Sequence, residues 1–319
     1  MKIIQRVSGY TQDPTRYFNF KRFAKQCGNF ILVEAGFEEH SLWNEFDLTK
    51  KELDEILKQK IVRLEFAEPD KFFINDNPDH YDHQFYKVFT ICPYTAKWLN
   101  EKQHNKKHIP IFFPFNEEFI PKKIQKKYDV IYTGHIVSNT IHRYIKTISK
   151  FNYRFVSNSK DSLVTNRSAS YIDKMKLIAQ SKITLVANLL YLRPHHLFNL
   201  WLTPNYSDNE AFKQIPKWYE VNKWLNREII APELKSRLFE AAFGRSLILC
   251  RKDPFNIIER FFEPDKEFIY FDMDNLKETI ENILNNYKDY EKVIKRAYQK
   301  AVNNYTTKKF AEKYLKNIA

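Results

Sequence analysis

The chain has little glycine, little cysteine and no long apolar run, and each shortage rules something out. Only Gly9, Gly28, Gly36, Gly134 and Gly244 occur among 319 residues, so each marks a place where the backbone itself needs one. Neither a low-complexity tract nor an internal repeat is present. The three cysteines, Cys27, Cys92 and Cys250, lie far apart in or beside apolar stretches. They read as buried, reduced thiols in a reducing compartment, which sets aside a disulfide framework and a cysteine metal set. No apolar run approaches the roughly 18 residues that span a bilayer. The opening MKIIQRVSGYTQ lacks the apolar core of a signal peptide. The expectation is a soluble cytoplasmic protein, peripheral to a membrane at most.

What is present supports a large core. The chain is 43% hydrophobic and 16% aromatic, and its length divides naturally into two domains. Its 52 basic and 39 acidic residues give a net charge of +13. Such a balance attracts phosphate-bearing ligands, anionic membrane surfaces or nucleic acid. Lysine usage in AT-rich coding sequence gives the same total without function. No basic run with interleaved aromatics stands out, so nucleic acid is not the expected partner.

Taken in order, strands read at Lys2–Val7, Phe30–Glu34, Ile61–Phe66, Tyr86–Ile91 and Ile109–Phe113. Helices read at Pro14–Cys27, Leu48–Lys58 and Pro93–Glu101; Thr49 and Glu52 have the spacing of a capping box. Strands alternating with helices predict a parallel α/β sheet. Two prolines and a charge run at 114–127 mark a boundary. We read an N-terminal domain over 1–120, a linker over 121–127 and a second domain over 128–305.

That second domain reads as strands Tyr128–Thr133, Tyr153–Ser157 and Ile183–Ala187 with helices Thr140–Lys150 and Tyr171–Gln180. Residues 189–231 hold Trp201, Trp218 and Trp224 without a clean period. They read as an insertion shaping a pocket, a lid or a subunit contact. A helix carrying Leu234, Leu238, Phe239 and Ala242 follows Pro232, and Gly244 is expected to end it at positive φ. Then come strand Ser246–Cys250, helix Asp253–Phe262, strand Glu267–Phe271 and helix Asn275–Asn285. The segment 306–319 is read as a closing helix that packs back on the N-terminal domain.

The run R-x-F-E-A-A-x-G at Arg237–Gly244, then F-F-E-P-x-x-E-F-I at Phe261–Ile269, resembles the C-terminal signature of CgeB-like glycosyltransferases. YDVIYTGHI from Tyr128, SKITLVAN from Ser181 and the closing helices extend the likeness over roughly residues 126–319. The resemblance implies the GT-B fold: α/β, two Rossmann-like domains with parallel sheets facing a cleft. It implies transfer of a sugar from a nucleotide-diphosphate sugar to a glycan, lipid-linked or protein acceptor, retaining and without a metal or other cofactor. It also places the donor against the first loop of the second domain, Gly134 and His135. Arg237 and Lys235 then fall at the diphosphate and Glu240 at the ribose hydroxyls. Many retaining GT-B enzymes carry two glutamates separated by seven residues; here Glu233 and Glu240 are separated by six, with Pro232 one place earlier. A fucosyltransferase-like inverting enzyme, a non-catalytic scaffold and a basic polyanion-binding protein are the other readings.

From the residues themselves, Tyr132-Thr133-Gly134-His135 is a strand, a glycine turn and the approach to a helix, an arrangement that suits phosphate. One glycine also suits an ordinary βα turn. Lys235 and Arg237 oppose the helix dipole, which an anion relieves; a solvated face or an ion pair with Glu233 is the plain alternative. For a general base the histidines are His40, His80, His83, His135 and His195–His196. Asp76, Asp79, His80, Asp82 and His83 crowd 75–83 as a polar loop, and Asp272-Met273-Asp274 is more simply a helix start capped by Asp274 than a metal motif. No metal site is expected. A homo-oligomer through the tryptophan-rich insertion is open.

Overall fold

In this computed structural model the described residues are 2–5, 20–35, 49, 51, 55, 58–65, 85–102, 104, 106–192, 194–202, 213, 215, 217–220 and 228–318. By internal contacts the chain forms two compact units. The first comprises Met1–Pro114, Leu192–Glu233 and Thr307–Ala319; the second comprises Phe115–Tyr191 and Leu234–Thr306. Residues 192–233, read as part of the second domain, group with the first unit, as do 307–319, the segment read as packing on the N-terminal domain.

The first unit is built on a parallel sheet of β1 (Lys2–Gln5), β2 (Ile31–Ala35), β3 (Ile61–Glu65), β4 (Lys87–Thr90) and β5 (His108–Pro110), laid side by side in chain order. Ile31 and Leu32 of β2, Ile61, Val62 and Leu64 of β3 and Val88 and Phe89 of β4 are buried, the pattern of parallel strands covered on both faces. Between β4 and β5 runs α1 (Pro93–Lys102), whose Ala96 and Leu99 face the core. Proline opens it at no cost, because the first turn has no partner for that N–H. The fifth strand is earlier than the apolar run 109–113 predicts. Asn100 clasps it by accepting from His108 N and donating to His108 O, each at 2.8 Å. Ile111 and Phe112 are buried for another reason. Phe112 packs on Phe310 at 5.6 Å between ring centroids, and Phe20 and Phe89 meet the same ring at 5.2 and 5.8 Å. Phe310 ends a short helical turn, Thr307–Phe310, that continues as a π-turn over Ala311–Leu315. Gly28 lies under this segment, and a Cβ there would sit 3.1 Å from Ile318 O. Parts of the helices read at 48–58 and 14–27 fall outside the described residues; within them Lys51 and Glu55 are helical and Phe20–Gln26 is a 3-10 helix.

The second unit has its own parallel sheet of β6 (Tyr128–Thr133), β7 (Tyr153–Val156), β8 (Ser181–Val186), β11 (Leu247–Arg251) and β12 (Ile269–Phe271), in the order β12-β11-β8-β6-β7. Strands β9 (Leu189–Leu192) and β10 (Ile229–Pro232) and helix α4 (Pro194–Leu202) lie within or beside the expected insertion. The chain passes from β6 outward to β7 and returns to the other side of β6 as β8. That reversal is the topological switch at which open α/β sheets bind ligands, outside the carboxyl ends of their strands.

Two helices flank it. In α2 (Asn139–Ile148), Ile141, Tyr144, Ile145 and Ile148 recur at helical spacing and are buried, and Ser138 caps the start by accepting from Ile141 N at 3.1 Å. Helix α3 (Tyr171–Gln180) is capped the same way by Ser170, which accepts from Asp173 N at 3.1 Å.

Three local expectations are corrected. The helix read at 253–262 is only a 3-10 turn, Ile257–Arg260. The Asp253 carboxylate accepts from Phe255 N and Asn256 N, Pro254 disfavours a helical residue before it, and Asn256 turns left-handed at φ 49°. Asp274 does not cap the later helix α6 (Leu276–Asn285); Asn275 occupies that position, and its Oδ1 accepts from Asp272 N at 2.9 Å. Gly244 does follow helix α5 (Arg237–Phe243), but at φ −75°. Its glycine is required because Ile178 crowds it; a Cβ would lie 2.5 Å from Ile178 Cγ2. The left-handed residue is Arg245, at φ 50°.

Lys126, read as part of a linker, is a fixed strut of this unit. Its ammonium donates to Ala179 O at 2.9 Å, Ser181 O at 2.8 Å and Arg245 O at 2.7 Å. The first carbonyl belongs to the last turn of α3 and the third lies just past α5, where the helix dipoles favour a cation. Burial, reinforced by the charge of Arg245, pulls the Lys126 pKa down to about 7.

Candidate functional site

The site begins at the carboxyl end of β6. Gly134 sits at φ 135°, a backbone that L side chains rarely take. Its N–H is engaged by Val156 O at 3.0 Å, so this amide does not face a ligand as the sequence reading supposes. What Gly134 contributes is room. A Cβ there would stand 2.6 Å from Arg237 Nη2, and the guanidinium lies against the bare backbone.

Arg237 is the first residue of α5. Its Nη1 donates to Tyr132 Oη at 2.9 Å, and its Cζ is 5.1 Å from the centroid of the same ring. Tyr132 is the second-last residue of β6 and is buried, so the arginine is aimed by the strand. Lys235 precedes the helix by two residues, and its N–H donates to Asn188 Oδ1 at 3.2 Å. Asn188 is fully buried just past β8. Two sequence-predicted residues therefore meet at the switch, Gly134 and Arg237, and a third, Lys235, is held by its backbone on Asn188 at the end of β8. His135 follows Gly134 on the exposed side of the turn.

Glu240 lies one turn deeper in α5 and is 1% exposed. Its Oε1 accepts from Lys174 Nζ at 2.7 Å and from Tyr171 Oη at 3.2 Å. Its Oε2 is buried and has no hydrogen-bond partner among the described residues. A buried carboxylate with one oxygen paired to a cation and the other unpartnered can accept a hydroxyl without first losing a bond. The sequence reading has no place for Lys174 or Tyr171. Both stand on the first turn of α3, three residues apart, so they share a face; that spacing was the available signal. Tyr132 and Asn188 fall within the quoted runs YDVIYTGHI and SKITLVAN, yet the sequence reading assigns neither a role of its own.

Glu233 is buried in the first unit. His40, His80, His83 and the 75–83 loop lie outside the described residues, as do the side chains of His195 and His196. Among the described residues no three His, Cys, Asp or Glu side chains converge as a metal site would require. Nor is any described helix long and apolar enough to cross a membrane.

Two parallel-sheet units, the second with its ligand-binding switch at β6 and β8, define the GT-B fold. A family model described as glycosyl transferase-like matches residues 138–316, more than half of the chain, and the chain belongs to that family. Solved structures share the fold at low identity. Alr3699/HepE of Anabaena, solved in complex with UDP, is 9% identical with a TM-score of 0.56, over 98% of this chain and 99% of that one. A glycosyltransferase of Rickettsia africae ESF-5 is 10% identical with a TM-score of 0.56, over 98% and 96%. The pneumococcal O-GlcNAc transferase GtfA, solved with UDP and GlcNAc, is 11% identical with a TM-score of 0.50, over 89% of this chain and 55% of GtfA. The chain thus spans about half the length of the larger transferases it matches. Among curated proteins none matches the chain.

Proposed function

We propose that the protein is a CgeB-like transferase that moves a sugar from a nucleoside-diphosphate sugar to a glycan, lipid-linked or protein acceptor. The observation that carries this reading is the Arg237 guanidinium lying on the side-chain-free Gly134 backbone at the sheet's switch point. As the glycosidic bond to the donor breaks, negative charge builds on the leaving diphosphate. Arg237 supplies fixed positive charge where that develops, the kind of stabilisation that lowers the barrier without reorganisation, and in this reading Lys235 adds its own. With two cations there, the reaction needs no metal ion. Glu240, paired with Lys174 through Oε1, accepts from the ribose hydroxyls through Oε2. His135, on the exposed rim of the same turn, faces the sugar. The retaining course is proposed on the likeness of 126–319 to CgeB-like enzymes.

The nucleoside is proposed to be uridine, because HepE and GtfA were both solved with UDP. A thermal-shift panel of UDP, GDP, ADP, CDP and dTDP tests this on wild type and Arg237→Ala. UDP at a hundred times its dissociation constant is expected to stabilise wild type by about 2.7 kcal/mol, and the variant far less. No shift from any diphosphate sinks the reading. An equal shift in both proteins moves the diphosphate elsewhere.

A further inference from the structure

At the opposite, amino-terminal edge of the second unit's sheet lies a cavity of about 680 Å³, within the size range of small-molecule sites. Its wall is formed by the segment leading into β6, by Gly244 and Arg245 after α5, and by one face of the helix α7 (Glu291–Asn304). Lys122, Lys123, Arg245, Lys292 and Lys295 line it, against the single carboxylate of Glu291. Lys126 forms part of its floor, with all three ammonium hydrogens taken by carbonyls. Between the cations stand apolar surfaces: Ile124, Ile294 and the rings of Tyr287 and Tyr298.

Arg245 is the unexpected member. The bonds Ser246 N to Ala241 O and Arg245 N to Ala242 O, both 3.1 Å, close α5 as a Schellman motif. Such a motif needs a left-handed residue between the two, ordinarily glycine, and this chain places an arginine there at φ 50°. The glycine is one position earlier. Strained backbone of this kind is characteristically kept where a side chain is needed. The Arg245 guanidinium stacks 3.8 Å from the Tyr298 ring centroid, and Nη1 donates to Pro121 O at 2.8 Å. It is thereby held flat at the cavity wall, the geometry that suits two oxygens of one phosphate.

We propose that this cavity is a second binding site, separate from the Gly134 cluster, for a phosphate group carried on an apolar or aromatic body. Five cations neutralise the phosphate, and Ile124, Ile294 and the two tyrosines receive the body. A soluble phosphate ester and an anionic lipid headgroup both have this chemistry. Calorimetric titration with hexyl phosphate and with inorganic phosphate, beside flotation with phosphatidylcholine vesicles with and without phosphatidylglycerol, distinguishes the sources.

Hexyl phosphate is expected to bind more tightly than inorganic phosphate, or the phosphatidylglycerol vesicles alone to recruit the chain. The double variant Lys292→Glu/Lys295→Glu, both exposed positions, is expected to lose about tenfold or more in affinity, since each reversal converts an attraction to a repulsion. Arg245→Gly relieves the backbone while removing the guanidinium, so it is expected to fold and to bind weakly. Arg237→Ala is expected to bind as wild type does. The proposal is overturned if neither probe binds wild type, if both cavity variants bind as wild type, or if Arg237→Ala abolishes binding.

Discussion

Gly134 and Arg237 constrain each other. Replacing Gly134 with alanine puts a methyl where the guanidinium lies and forces a left-handed backbone on an L residue, a conformational cost of about 1–2 kcal/mol. We expect Gly134→Ala to lower the melting temperature modestly and to remove most of the UDP-induced shift. A variant that still shifts with UDP as wild type does would mean the turn tolerates displacement of Arg237. Lys174→Met tests the neighbouring pair. It leaves the buried Glu240 carboxylate without its cation and is expected to cost about 3–5 kcal/mol in urea unfolding, with most of the loss recovered in Lys174→Met/Glu240→Gln. At this scale residue types were readable and partners were not. Arg237, Lys235, Gly134 and Glu240 stand out by kind and position; that Glu240 meets Lys174, 66 residues away, depends on how α3 and α5 pack.

Elements were readable wherever periodicity and caps agreed. The β6 strand and the α3 helix have the limits read from sequence, the latter with a serine cap and with Met175 and Ile178 buried at helical spacing. The stretch 253–262 misled because its apolar spacing is helical while Asp253-Pro254 dictates a turn. Lys126 misled because a lysine in a charged run reads as solvated. Its depressed pKa carries a prediction with a definite sign. The folded ammonium gives up its proton near pH 7, the unfolded one only near 10.4. Between those values the unfolded chain holds more protons, so stability rises with pH and the penalty is full below pH 7. Wild type is expected to gain about 2 kcal/mol in urea unfolding free energy from pH 7 to pH 9 relative to Lys126→Met. Parallel pH profiles for the two proteins would disprove the shift.

For the whole molecule, the sequence foretold an α/β chain of two parallel sheets but not that 192–233 would group with the first unit. Contacts of distant residues decide such grouping, and for the closing segment, read from sequence as packing on the N-terminal domain, they centre on Phe310. It is fully buried against Phe20, Phe89 and Phe112 of the first unit, although the residues before it belong to the second. Phe310→Ala is expected to cost about 3–5 kcal/mol and to expose the first unit selectively to protease. Uniform protection of both units would refute that assignment.

The same ring bears on how the protein is made. A ribosome delivers Phe20, Phe89 and Phe112 first, then every residue of the second unit, and only afterwards Phe310. The first sheet emerges earliest, yet its aromatic core is filled last. During synthesis the nascent first unit holds an open apolar socket while the second folds, and that interval is when it is most in need of a chaperone.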